Sequence, residues 1–382
     1  MSTKKRILFR FSTAGPDAQE LINILKNIDY NKFEVSLILD YHDRNFFKKV
    51  PKGIKVFSLA KGCGEMSKFS VIYFFQRLYA RFTNLFCQYY QFPIKKKISQ
   101  NPDIEVAFGP SALKSLLKSP FTDSKKVIWL LRDVREDYTL EYGKKLARMV
   151  SHCTITVFSS LYAQQAFENY FEIELPRSAY IHPYINGEDV LKKSLQKIPG
   201  TIDLFCEIQK FFISVGDLTY QKGYDSLIVA HAELLEEGFD HKVMVIGDGA
   251  EYGKLRDMIK YLGLEDSFFL LGEQDNPYCF IQSADYYIQP SRCESYPVIL
   301  REVVVLNKPI ISTDVGSVGE LLGQWKTAYL IQFNVTEIKE MMKEFLYNKS
   351  LVTSIMDEQK SFNFLTCNKI ICDQITDLFS NL

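Results

Sequence analysis

The strongest constraint on the fold of this chain is an alternation that occurs twice: short apolar runs separated by stretches with helical spacing. Residues 6–12 (RILFRFS), 33–39 (FEVSLIL), 54–59, 104–108, 127–131 and 154–158 read as strands, and 17–28 as an amphipathic helix with Leu21, Ile24, Leu25 and Ile28 on one face. A second set follows, with strands over 211–215, 242–246, 268–271, 286–288 and 309–312 and helices over 224–235 and 249–262. Residues 335–382 read as further helices. Strands alternating with helices over such lengths imply parallel sheets with right-handed crossovers. A polar stretch near 187–205, with Lys192, Lys193, Lys197, Pro199 and Gly200, suits a linker between the sets. At 382 residues the chain exceeds what one hydrophobic core usually organises. The expected fold class is therefore α/β, with two doubly wound, Rossmann-like domains facing a central cleft at the strand carboxyl ends. The first domain is expected over 1–195 and the second over 206–360, with 361–382 as a helical tail able to pack back on the first.

Composition narrows the setting. An apolar share of 47% and a charged share of 24% are those of an ordinary soluble protein. No apolar run reaches the ~18 residues needed to cross a bilayer. The start, MSTKKRILFRFS, is basic and then apolar, but Arg10 interrupts it, so it reads as a first strand rather than a signal peptide. Of the eight cysteines only Cys367 and Cys372 are close, and no pair has zinc-type spacing. Reduced thiols and a cytoplasmic location follow, where the acceptor patterns at Asn334 and Asn348 carry no meaning.

The net charge of zero conceals an asymmetry. Residues 1–198 hold 31 Lys and Arg against 19 Asp and Glu, and the remainder 15 against 27. Such a split points to two domains with different partners, the basic one favouring an anionic surface. Residues 66–98 contain no acidic side chain, and Lys68, Arg77, Arg81, Lys95, Lys96 and Lys97 are interleaved with Phe and Tyr. The segment reads equally as a surface for an anionic membrane or polyanionic acceptor and as a helix packed in the first domain, its cations in water. A protein peripheral on the inner face of a membrane is one expectation. No nucleic-acid module accompanies the patch, so nucleic acid is not an expected partner. The five histidines form no metal-ligand pattern; only His182, in YIHPYING near the expected cleft, stands as a functional candidate. A nicotinamide enzyme ranks last, because IGDGAEYG supplies Gly247 and Gly249 but Tyr252 in place of the third glycine.

The most informative segment is 290–322, PSRCESYPVILREVVVLNKPIISTDVGSVGELL. Glu294 sits on a loop after an apolar strand, Pro297 is placed to open a helix, and Glu302 lies eight residues on, along that helix. Backbone N–H groups at such a helix start suit an anion or sugar hydroxyls. One carboxylate can meet a sugar while the other meets a ribose diol. The plain alternative is two surface glutamates on an amphipathic helix.

The surrounding sequence favours the first reading. The segment resembles the E-x7-E motif of family 4 glycosyltransferases, which have the GT-B fold, and the resemblance includes the run KPIISTDVGSVGE. Upstream, ISVGDLTYQKGYDSLIVAHAEL looks like that family's phosphate loop and helix, and VMVIGDGAEYGKLRDMI like its next strand and helix. FLLGEQDNPYCFIQSADYYIQPS resembles the nucleobase segment. The four segments stand in order between residues 211 and 322. The resemblance implies a retaining, metal-independent enzyme without a cofactor. It would move a sugar from a nucleoside-diphosphate-sugar to a cell-envelope polysaccharide, lipid-linked or other glycan acceptor. Glu302 would hold the ribose hydroxyls and Glu294 would position the donor sugar. Ser295, Tyr296, Pro297 and Val298 would form the loop over sugar and diphosphate. Gly216 and Asp217 would line the phosphates, Lys222 would neutralise the departing diphosphate, and Gly272, Glu273 and Gln274 would flank the base.

Three departures from the family pattern follow. Asp217 stands where an arginine is usual, so either it turns away or Lys222, Arg292, Arg132 or Arg10 supplies the charge. Gly15 alone replaces a glycine pair in FSTAGPDAQEL, which reads equally as an acceptor-side contact, together with Arg10, and as a plain strand-to-helix turn capped by Asp17. Arg132 and Asp133 occupy the place of a sugar-contacting histidine, as catalytic substitutes or as a pair bonded to each other on a loop. These departures keep open a second class of function, a noncatalytic glycan-binding or accessory partner of another glycosyltransferase.

Overall fold

The computed structural model of the chain describes residues 4–12, 17–60, 92–98, 100–133, 139–198, 210–323 and 326–382. It divides into two compact units, residues 1–184 with 368–382, and residues 185–367.

The first unit is built on seven parallel strands: β1 (Lys5–Phe11), β2 (Phe33–Tyr41), β3 (Lys55–Ala60), β4 (Ile104–Phe108), β5 (Lys125–Leu130), β6 (Ile155–Phe158) and β7 (Ser178–Tyr180). Their order in the sheet is β3-β2-β1-β4-β5-β6-β7. β1 pairs on both sides, Ile7 aligning with Val35 and with Ile104; Ile7, Phe9 and Phe11 are buried in one core and Leu8 in another, while Lys5 and Arg6 at its start stay partly exposed. One face packs on the helix Ala18–Asn27 through Leu21, Ile24 and Leu25. The C-terminal helix Phe364–Ser380 adds Ile371, Ile375 and Phe379 to the same core, with Phe379 against Phe9, Phe33 and Trp129. The three-residue β7 escapes a search for apolar runs because it is an edge strand with half-exposed side chains.

The second unit holds β8 (Phe211–Val215), β9 (Lys242–Ile246), β10 (Phe268–Leu270), β11 (Tyr286–Gln289), β12 (Ile310–Thr313) and β13 (Tyr329–Ile331), all parallel, in the order β10-β9-β8-β11-β12-β13. Alternate residues divide between two cores: Phe212, Val243, Val245 and Ile288 face one side, Ile213, Met244, Ile246 and Tyr287 the other. The chain reverses direction across the sheet between β8 and β11. Loops leave that switch point on opposite faces and open a crevice at the strand carboxyl ends. The α/β class with two doubly wound sheets is thus the observed architecture.

The helix Gly187–Ser194 lies inside the stretch that reads as a polar linker, and it belongs to the second unit. Its charges mislead: Glu188 and Asp189 open the first turn and Lys192 and Lys193 close the last, as the helix dipole favours, while Val190 is buried. The unit boundary accordingly falls at 184/185 rather than near 195.

Candidate functional site

The carboxyl end of β8 gives Gly216 and Asp217, and the chain then turns through Tyr220–Lys222 into the helix Tyr224–Glu236. The stem of Lys222 passes Gly216, its Cε 3.5 Å from where a Cβ on that glycine would stand. Gly223 starts the helix with a φ of +70°, and a Cβ there would overlap the carbonyl oxygen of Pro290. Only glycine lets the two loops at the switch point approach so closely.

The loop after β11 delivers Glu294 to this place. Its Oε1 accepts from Lys222 Nζ at 2.6 Å, Ser291 Oγ at 2.6 Å and Gln289 Nε2 at 3.0 Å. Glu294 is buried and Lys222 partly exposed, so the pair is largely shielded from water on the carboxylate side. The loop backbone is held from the β12 side. Thr313 Oγ1 donates to Ser291 O at 2.6 Å, and Ser317 Oγ to Ser295 O at 2.7 Å. Gly316, with a φ of +62°, lies against the carbonyl of Glu294.

Pro297 caps the helix Val298–Val305, with Ser295 and Tyr296 partly buried before it and Val298 exposed at its start. Tyr296 is fixed by Arg301, whose Nη1 donates to its hydroxyl at 2.7 Å. Glu302 lies within the helix and is hydrogen-bonded to Tyr278, while Lys193 Nζ stands 5.8 Å from the Tyr278 ring. Burial raises the Glu302 carboxyl to about 7; Tyr278 and Lys193 pull it down and Asp189 pushes it further up. Burial, helped by the Glu302 charge, raises the Tyr278 phenol. Gly272 pairs with Gly247 in an isolated antiparallel bridge beside β9, with Glu273 exposed and Gln274 donating to Leu271 O at 2.8 Å.

The second unit therefore brings Gly216, Lys222 and Glu294 together at one switch point, with Ser295, Tyr296, Pro297 and Val298 leading into the helix that carries Glu302. Asp217 is exposed beside them. Two of the cations considered as substitutes for the missing arginine are engaged elsewhere. Arg292 forms a two-pronged pair with Asp225 at 2.8 and 3.0 Å and stacks on Tyr220, its guanidinium 4.0 Å from the ring centre. Arg10 is 1% exposed in the first unit, bound to Glu105 through two nitrogens and to Ser115 and Ser119. The Arg10 guanidinium is thus paired with a buried carboxylate within the first unit. Burial alone would raise Glu105, but the charges of Arg10 and Lys126 prevail and hold it below its ordinary value. Arg132 is exposed and Asp133 buried after β5, and His182 is 3.0 Å from Ser159 O after β7. Gly15 and residues 66–91 lie outside the described residues.

Sequence reasoning missed Gln289 and Ser291, the partners of Glu294, and Tyr278, the partner of Glu302. A signal existed: a glutamine closing the buried run YYIQ must find a buried partner. Among the described residues no helix is long and apolar enough to cross a membrane, and no group of three or more His, Cys, Asp or Glu is arranged to hold a metal ion.

Comparisons with known proteins bear on the family and the fold. Residues 204–361 match the family model described as glycosyl transferases group 1. An uncharacterised glycosyltransferase of Methanocaldococcus jannaschii is 26% identical over 223 residues, 57% of this chain and 55% of that protein. The N-acetylgalactosamine-N,N'-diacetylbacillosaminyl-diphospho-undecaprenol 4-alpha-N-acetylgalactosaminyltransferase of Campylobacter jejuni is 26% identical over 245 residues, 58% of this chain and 66% of that protein. The chain thus spans about half to two thirds of the length of these relatives. In structure, Anabaena HepE, solved in complex with UDP, covers 100% of both chains with a TM-score of 0.70 at 16% identity. The whole chain accordingly has the GT-B fold of solved glycosyltransferases, and its residues 204–361 carry the match to glycosyl transferases group 1.

Proposed function

We propose that the chain is a retaining, metal-independent glycosyltransferase of the family 4 type, which moves a sugar from a nucleoside-diphosphate-sugar to a lipid-linked or other cell-envelope glycan. The observation that carries the reading is the junction of Lys222 and Glu294 at the carboxyl end of β8 and β11. A cation there meets the charge that builds on the departing diphosphate, and an ionised carboxylate fixed beside it orients sugar hydroxyls. Glu302, one helix further, is placed for a ribose diol, in keeping with an E-x7-E arrangement. The solved relative in complex with UDP makes uridine diphosphate the first probe, and the Campylobacter relative favours a polyprenyl-diphosphate-linked acceptor. The basic first half and residues 66–98 suit an acceptor held at an anionic membrane surface on the cytoplasmic side.

The test is calorimetry with nucleoside diphosphates, followed by a panel of nucleotide sugars scored for donor hydrolysis and transfer. Micromolar binding of one diphosphate and turnover of its sugar support the reading. Absence of binding at millimolar concentration contradicts it and favours the noncatalytic partner.

A further inference from the structure

All three donors that reach Glu294 converge on one oxygen. Oε1 accepts from Lys222, Ser291 and Gln289, and among the described residues no donor is placed on Oε2. The three donors differ in kind. Gln289 is the last residue of β11 and 4% exposed; Ser291, two residues on, is 0% exposed. Both are anchored to the sheet, since Thr313 Oγ1 donates to Ser291 O and lies 3.4 Å from Gln289 O. Lys222 is a long, partly exposed side chain on the opposite loop of the crevice, with four rotatable bonds beyond its Cα.

We infer that Gln289 and Ser291 are positioning residues, which hold Oε1 of Glu294 from the sheet side so that Oε2 faces the donor sugar while Lys222 is free to turn to the diphosphate. The inference rests on the reading of the site as a sugar-nucleotide site. With Lys222 as sole partner, Glu294 would lose its orientation whenever the ammonium moved to a phosphate. Two neutral donors with little freedom remove that dependence, and a misplaced carboxylate is costly to a reaction governed by geometry. A hydroxyl and an amide also suit the task because neither carries charge that would compete with the leaving group.

The experiment compares wild type with Ser291→Ala, Gln289→Leu and the double variant. Gln289→Leu conserves volume and Ser291→Ala removes one oxygen, so thermal unfolding should shift by only a few degrees. Expected are a 10- to 100-fold fall in kcat for the single variants, a larger one for the double, and a dissociation constant for UDP within threefold of wild type. Ser291→Thr, which keeps the hydroxyl, should recover most of the loss. A kcat within twofold of wild type in the double variant overturns the inference, and so does a UDP affinity that falls in step with kcat. If wild type itself turns over no nucleotide sugar, the functional reading falls, and crystal structures decide the positioning claim separately. A Glu294 carboxylate that is turned or split between orientations in the double variant supports it, and one in the wild-type position overturns it.

Discussion

The carbonyl oxygen of Glu294 fills the space that a Cβ on Gly316 would occupy, and Gly316 holds a φ of +62°. The turn after β12 therefore braces the backbone of the residue whose side chain meets Lys222. Gly316→Ala must either move that loop or adopt a left-handed conformation against a clash. We expect a loss of about 2 kcal/mol or more in stability by denaturant unfolding, and a fall in kcat/KM of about 100-fold or more. An alanine variant with unchanged kcat/KM would show that the loop position does not matter.

The helix at 298–305 predicts a pH dependence. Burial holds the Glu302 carboxyl at about 7, above the ordinary range, so below pH 7 it carries a proton. A ribose diol donates to the ionised form, and affinity for UDP should therefore be constant above pH 7 and fall by up to about tenfold per unit below it. A 2′,3′-dideoxy analogue shares the titration of the diphosphate but lacks the diol, and should lose the part of the slope due to Glu302. Equal slopes for both nucleotides would remove Glu302 from ribose recognition.

A second titration concerns stability alone. His231 and His241 are fully buried, with Nδ1 of His231 2.9 Å from Nε2 of His241 and its Nε2 2.9 Å from Ser267 Oγ. Burial, aided by His241, lowers His231 to about 3, and burial lowers His241 as well. The folded chain keeps His231 neutral while an unfolded histidine binds a proton below about 6.5. Its contribution is therefore complete above pH 6.5 and is lost as pH falls towards 3. At pH 5 the loss is about 2 kcal/mol for this residue. Urea unfolding at pH 7 and pH 5 should show a correspondingly smaller pH difference in His231→Gln. An unchanged difference would mean that the acid sensitivity lies elsewhere.

These relationships mark what could be read from the residues alone. β4 over 104–108 and β8 over 211–215 were legible because strands buried on both faces are mostly apolar, broken only by Glu105 and Ser214, and the Glu294–Glu302 spacing was legible because it is local in sequence. β7 and β13 were not, since an edge strand of three residues pairs on one side and needs no such run. The helix Gly187–Ser194 hid behind its charges. Arg10 reads from the sequence as a cation available to the site; its partner, Glu105, lies 95 residues away on the neighbouring strand. Gln289 and Ser291 reach Glu294 from β11 and the loop after it, but Lys222 comes from the loop after β8, 72 residues away, a meeting set by sheet order rather than by spacing along the chain.

The account turns on Lys222 and Glu294 acting as one site for sugar transfer. Its most direct test is the single-turnover rate of donor cleavage by wild type and Lys222→Ala, with the nucleotide sugar that the panel selects and with unfolding curves measured alongside. The account predicts a rate about 100- to 1,000-fold lower in the variant, with the fold retained. A variant rate within threefold of wild type would contradict it.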